Sequence, residues 1–127
     1  MSHLVNVEVE LDNMDAVKQA LEEMGFQTRH EEHTLGAYGW KMKCDLSVQK
    51  KNGSQLMIGF KQQEDGKIRV EADWYGTGLN RGEFTQKLQQ LHAKHKVVNV
   101  LKKRRWQVGN PTVNADGSIS LVASRWE

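Results

Sequence analysis

The chain has 127 residues, 38% of them apolar and 27% charged, which suits one domain (1–127) around a single core and is too short for two. No run of about 18 apolar residues exists to span a bilayer, and the opening MSHLVNVEVEL alternates where a signal peptide would carry a continuous apolar core, so a cytoplasmic protein without membrane partners is expected. A lone cysteine, Cys44, excludes an internal disulfide and any cysteine-based zinc cluster.

Val5, Val7, Val9 and Leu11 alternate with Asn6, Glu8 and Glu10, the period of a strand with one buried face over about 4–11. Asp12 or Asn13 can cap the next element. Met14, Val17, Leu21 and Met24 recur at helical spacing until Gly25 stops them, predicting a helix over about 14–24. Phe26 to Gly39 shows no sustained period and reads as a loop with a short strand at its start. Three strands come next, Lys41–Lys50, Ser54–Gln63 and Lys67–Tyr75, joined at Asn52-Gly53 and Asp65-Gly66 by what read as two-residue hairpin turns. Met42, Cys44, Leu46 and Val48 share one face of this meander, as do Leu56, Ile58 and Phe60, and Ile68, Val70, Ala72 and Trp74. The other face is mostly charged, which predicts a sheet covered on one side only.

Gly82 to Trp106 reads as one long helix, with Phe84, Leu88, Leu91, His95 and Val98 on a single stripe. Its charges are lopsided. Lys87, Lys94, Lys96, Lys102, Lys103, Arg104 and Arg105 stand against Glu83 alone, a local +6 on a chain whose net charge is +2. The halves differ accordingly: residues 1–66 hold seven Lys/Arg against eleven Asp/Glu (−4), and 67–127 hold eleven against five (+6). Such a dipole usually presents its basic face to something acidic. Finally, Trp106–Val113 and Ser118–Trp126 bracket Asp116-Gly117 as a hairpin, with Pro111 placing the first strand at an edge or bulging it. The fold predicted is α+β, a mainly antiparallel sheet in the order β-α-β-β-β-α-β-β with two helices packed on one face.

Met1-Ser2-His3 before an apolar strand, Asp73-Trp74-Tyr75-Gly76, the long basic helix, and Asp116-Gly117-Ser118-Ile119 running through Leu121 and Val122 to Arg125-Trp126 together resemble an uncharacterised family. It is the family of the hypothetical chloroplast reading frame thirty-five of algal plastids and cyanobacteria, and the resemblance covers the whole chain. In that family a glycine before an aromatic would be expected to end the helix, where this chain has Arg104-Arg105-Trp106. The resemblance implies a small soluble protein, sometimes encoded near a ring-forming ATPase. It supplies no catalytic residues.

Four constellations invite chemistry. Lys102-Lys103-Arg104-Arg105-Trp106 joins phosphate-seeking charge to an aromatic that can stack on a base, although cations in a last turn also simply complement the helix dipole. Gly76-Thr77-Gly78-Leu79-Asn80-Arg81-Gly82 lies between a strand and a helix, where glycine-rich loops hold phosphates; its spacing fits neither the dinucleotide nor the Walker pattern, and a plain connection is the simpler reading. His30/His33 and His92/His95 form two pairs at i,i+3 that zinc or iron would accept, against solvated and core histidines as the ordinary alternative. Asp73, beside Trp74 and Tyr75 and facing outward by alternation, is the most site-like acid, yet no serine elbow or activated thiol accompanies it.

The resulting expectation is a non-enzymatic protein without a cofactor or metal. It would engage an anionic ligand, nucleic acid or nucleotide, through Arg81, Lys94, Lys102, Lys103, Arg104, Arg105 and Trp106. A protein adaptor or regulator, for instance of a ring-forming ATPase, docking the same residues on an acidic protein surface, is the alternative, and a histidine-based metal protein is the second. The acidic half of another copy would satisfy the same electrostatics, making a homo-oligomer one form of such a partner.

Overall fold

A computed structural model describes residues 4–7, 10–37, 39–115 and 119–125. In chain order the elements are β1 (Leu4–Val7), α1 (Met14–Glu23), β2 (Gln27–Arg29), β3 (His33–Ala37), β4 (Trp40–Cys44), β5 (Leu46–Gln49), β6 (Gln55–Gln62), β7 (Ile68–Asp73), α2 (Trp74–Thr77), α3 (Arg81–Lys103), β8 (Trp106–Val108), β9 (Thr112–Val113), β10 (Ile119–Ser120) and β11 (Ala123–Arg125). The principal sheet has the order β1-β7-β6-β5-β2, every neighbour antiparallel. This is the α+β architecture that the alternation and helical spacing predict.

One face of that sheet carries the main core. Leu46 and Val48 of β5, Leu56, Ile58 and Phe60 of β6, and Ile68, Val70 and Ala72 of β7 meet Val17, Ala20 and Leu21 of α1 and Phe84, Leu88 and Leu91 of α3. The helices form where local signals place them. Asn13 accepts the Ala16 amide at 3.0 Å at the start of α1, and Gly25 turns the chain at φ 92° just beyond its end. Asn80 accepts the Glu83 amide at 3.0 Å at the start of α3. Phe26 and Trp74 both set their rings against Phe84, at 5.9 and 5.6 Å between centroids.

Several expectations are corrected. β1 ends at Val7, Glu8 and Val9 lie outside the described residues, and Leu11 is buried beyond the strand, its carbonyl accepting the Ile68 amide at 2.7 Å. The hairpin turns are three residues long: Lys50 and Ser54 bracket one and Gln63 and Lys67 the other, with only Gly53 and Gly66 at positive φ. Asn52 and Asp65 instead accept the amides two residues on, each at 2.9 Å, which needs no left-handed backbone from them.

The strand expected over 41–50 breaks at Asp45. Its carboxylate is drawn to the neighbouring strand, accepting the Gln62 amide at 2.9 Å and meeting Lys61 Nζ at 3.3 Å. Met42 and Cys44 therefore leave the face that Leu46 and Val48 occupy. β4 pairs with β3, a strand lying in the segment read as loop, and this hairpin folds over the other face of β6. Leu35, Met42 and Cys44 form a second small core there with Met57 beside them, so the sheet is covered in part on both sides. Gly59 makes the approach possible, because a Cβ at that position would stand 2.7 Å from Met42 Sδ and 3.1 Å from Cys44 Cβ.

β7 ends at Asp73, and Trp74 begins the single turn of α2. Helix α3 starts one residue before Gly82 and ends at Lys103. On it Phe84, Leu88, Leu91 and Val98 are buried as expected, but the buried histidine is His92, with His95 only half-buried. The C-terminal hairpin is interrupted as Pro111 demands: β8 pairs with β11 and β9 with β10, while Gly109 donates to the Val122 carbonyl at 2.8 Å in the gap. The Asp116-Gly117 turn and Trp126 lie outside the described residues.

Candidate functional site

Six cations in the second half of α3 and just beyond its end divide into two groups. Lys94 donates to Glu23 Oε1 at 2.5 Å and Lys96 to Asp12 Oδ2 at 2.5 Å, so both hold α1 against α3. Asn99 donates to Gln19 Oε1 at 2.7 Å in the same interface. Burial alone would raise the Glu23 carboxyl, but Lys94 and then His95 outweigh it and hold the group below its ordinary range. Lys102, Lys103, Arg104 and Arg105 are different. All four are exposed, and among the described residues none makes an ion pair.

The backbone explains how this end is built. Arg104 and Arg105 donate their amides to Leu101 and Lys102 carbonyls, each at 3.1 Å, closing the last turn of α3. Arg105 then takes φ 62°, the left-handed corner that swings the chain into β8. Trp106, half-buried, begins that strand opposite Arg125. A groove of about 600 Å³ opens beside it, lined by Lys102, Trp106, Gln107, Val108, Val122 and Ser124. Lys102 also borders a second groove of about 470 Å³, where Lys103 and Asn99 face Lys18, Asp15 and Glu22 of α1.

The structure thus brings together Lys102, Lys103, Arg104, Arg105 and Trp106. Arg81 is at the other end of α3, twenty-two residues from Lys103 and so about 33 Å away at 1.5 Å per residue. Lys94 is engaged with Glu23 and its side chain is only 12% exposed. Neither adds to a common site with the helix end.

The glycine loop is closed on itself. Asp73, buried rather than outward, accepts the Gly76 amide at 3.2 Å, Thr77 Oγ1 accepts the Leu79 amide at 3.2 Å, and Asn80 accepts that of Glu83. The amides of Gly76, Leu79 and Glu83 are thereby occupied, and the Asp73 carboxylate sits where a phosphate would have to approach.

The histidines are likewise engaged separately. His33 Nδ1 faces the Glu31 carbonyl at 2.5 Å and its Nε2 faces Ser47 Oγ at 2.7 Å, beneath the β3–β4 hairpin. His92 Nε2 accepts the amides of Asn13 at 3.2 Å and Asp12 at 3.4 Å, which requires the unprotonated nitrogen there. Asp12 Oδ1 also lies 3.5 Å from this atom, a pairing that needs the charged ring; burial, the larger influence, pushes the His92 ring down toward the neutral form that the two amides demand. Among the described residues no three His, Cys, Asp or Glu side chains converge as metal ligands. Cys44 is buried and its thiol is pushed up to about 11 by desolvation, with Asp45 adding to it.

With this geometry in view, comparison with known proteins assigns the chain. Residues 20–122 match a family described as protein of unknown function (DUF1257). The chain belongs to this family. It is similar over 99% of its length to the "Uncharacterized protein ycf35" of Cyanophora paradoxa, at 26% identity and covering 98% of that protein. The protein of the same name from Pyropia yezoensis is 25% identical, with 99% of this chain and 98% of the relative aligned. No solved structure matches the chain. None of its helices within the described residues is long and apolar enough to cross a membrane.

Proposed function

We propose that this member of the family is a non-enzymatic binding protein whose ligand is single-stranded nucleic acid, held by Lys102, Lys103, Arg104 and Arg105 with a base against Trp106. One observation carries the reading. Four consecutive exposed cations make no ion pair among the described residues, whereas Lys94 and Lys96 on the same helix do. Dipole compensation does not need four. The adjoining groove supplies what a bare polycation site lacks, an aromatic ring with apolar neighbours on which an unpaired base can lie.

A second reading, docking on an acidic protein surface, rests on Val97 and Val100, exposed to 42% and 41% on α3 just before the cations, and on Val122, exposed to 73% beside the groove. A fluorescein-labelled 15-mer of deoxythymidine, followed by anisotropy, separates the two. Binding to the parent that Lys102→Glu with Lys103→Glu abolishes, and that poly-L-glutamate displaces only weakly per charge, supports the nucleic-acid ligand. Equal displacement by poly-L-glutamate points to an acidic protein, and no binding at low salt refutes the nucleic-acid reading.

A further inference from the structure

Among the described residues Arg105 is the only non-glycine at positive φ. The other left-handed positions, Gly25, Gly39, Gly53, Gly66 and Gly78, are all glycine, and Gly25 and Gly78 serve the ends of α1 and α2. The same job at the end of the longest helix falls to an arginine. A side chain there crowds its own carbonyl, a conformation that glycine holds without strain and that bulky residues rarely adopt. Nothing in the fold needs the arginine as packing, since its side chain is exposed and makes no ion pair or hydrogen bond within the described residues. Backbone outliers of this kind cluster at active sites and ligand clamps.

We infer that Arg105 is the ligand-determining contact of the basic helix end, retained in a left-handed corner at the expense of stability so that its guanidinium fork grips a phosphate next to the base on Trp106. The inference rests on the proposed nucleic-acid reading and sharpens it, because it distinguishes one cation from its three neighbours. A planar fork pairs two oxygens of one phosphate, which a lysine ammonium cannot reproduce. The left-handed corner also takes Arg105 out of the helical path of Lys102 and Lys103 and sets it next to Trp106, which begins β8 and lines the groove.

Three variants, Arg105→Gly, Arg105→Lys and Lys102→Glu with Lys103→Glu, decide the matter with the labelled deoxythymidine 15-mer and thermal melts. Arg105→Gly is expected to melt higher by about 2–5 °C, the scale of relieved strain in a domain of this size. It should bind about tenfold more weakly, with the dependence of log affinity on log salt shallower by about 0.7, the worth of one phosphate contact on a single strand. Arg105→Lys keeps the charge and the strain, so it should melt like the parent yet still lose several-fold in affinity. Arg105→Gly that binds within twofold of the parent overturns the inference while the proposed function stands, provided the double Lys→Glu variant has lost binding. Arg105→Gly that melts at or below the parent temperature overturns the strain argument. A parent that does not bind the 15-mer overturns the proposed function and this inference with it.

Discussion

His92→Gln tests the α1–α3 junction through its response to acid. In the native protein His92 is 4% exposed, and its Nε2 accepts two backbone amides, those of Asp12 and Asn13. Protonation would put N–H against N–H at both contacts. The one compensation, Asp12, is weakened because Lys96 already holds its other oxygen. Burial first, and Lys96 with it, push the ring below its ordinary value near 6.5 in spite of the Asp12 charge. The sign is set by this lowering: the unfolded chain takes up the proton first, so the stabilisation is fully present above about pH 6.5 and is lost as pH falls below it. Each pH unit between the unfolded and folded values removes about 1.4 kcal/mol, so by pH 5 the loss reaches at most about 2 kcal/mol. For a domain of this size that is about 5–10 °C in melting temperature. Glutamine offers an acceptor oxygen but does not titrate. Melting temperatures of parent and variant between pH 8 and 5 should therefore diverge below pH 6.5, the parent falling more steeply. Parallel curves would mean that His92 is not the neutral acceptor of those two amides.

Other consequences concern packing and reactivity. Leu88→Ala, at a fully buried position of the main core, should cost about 2–5 kcal/mol in chemical denaturation, and an unchanged midpoint would contradict the orientation of α3. Gly59→Val should destabilise by about 1–3 kcal/mol, because even a Cβ would stand 3.1 Å from Cys44 Cβ; a neutral substitution would mean that the β3–β4 hairpin does not lie on β6. Cys44 should resist iodoacetamide at pH 8 until the protein unfolds, its thiol being buried and raised to about 11, and rapid alkylation seen by mass spectrometry would contradict that burial.

The parts of the fold legible in the sequence are those where one physical signal acts alone. Leu56, Ile58 and Phe60 of β6, Ile68, Val70 and Ala72 of β7 and the helical spacing of α1 follow the face that holds the main core, and Asn13, one of two candidates, caps α1 as its chemistry suggests. Asp45 hides its strand break because the apolar alternation runs on through it; only the Gln62 amide, on another strand, shows why the chain bends there. β3 escapes notice because its alternation of buried His33 and Leu35 with exposed Thr34 and Gly36 sits in a polar stretch. The candidate site is legible in charge and not in pairing. The acids that engage Lys94 and Lys96 stand 71 and 84 residues away, so no local pattern separates those lysines from Lys102 and Lys103. Arg81 joins the expected ligand residues by charge alone, although the length of α3 sets it far from the helix end.

The most direct test of the proposed site is a map of where the ligand touches. Backbone amide NMR shifts of the labelled protein, followed while the deoxythymidine 15-mer is added, should move at Lys102 to Gly109 and at Val122 to Ser124, the residues of the basic end and its groove. The Trp106 indole signal should be displaced among the farthest, and the Gly76–Arg81 loop should stay still. Shifts confined to that loop, or to the outer face of the sheet, would contradict the account.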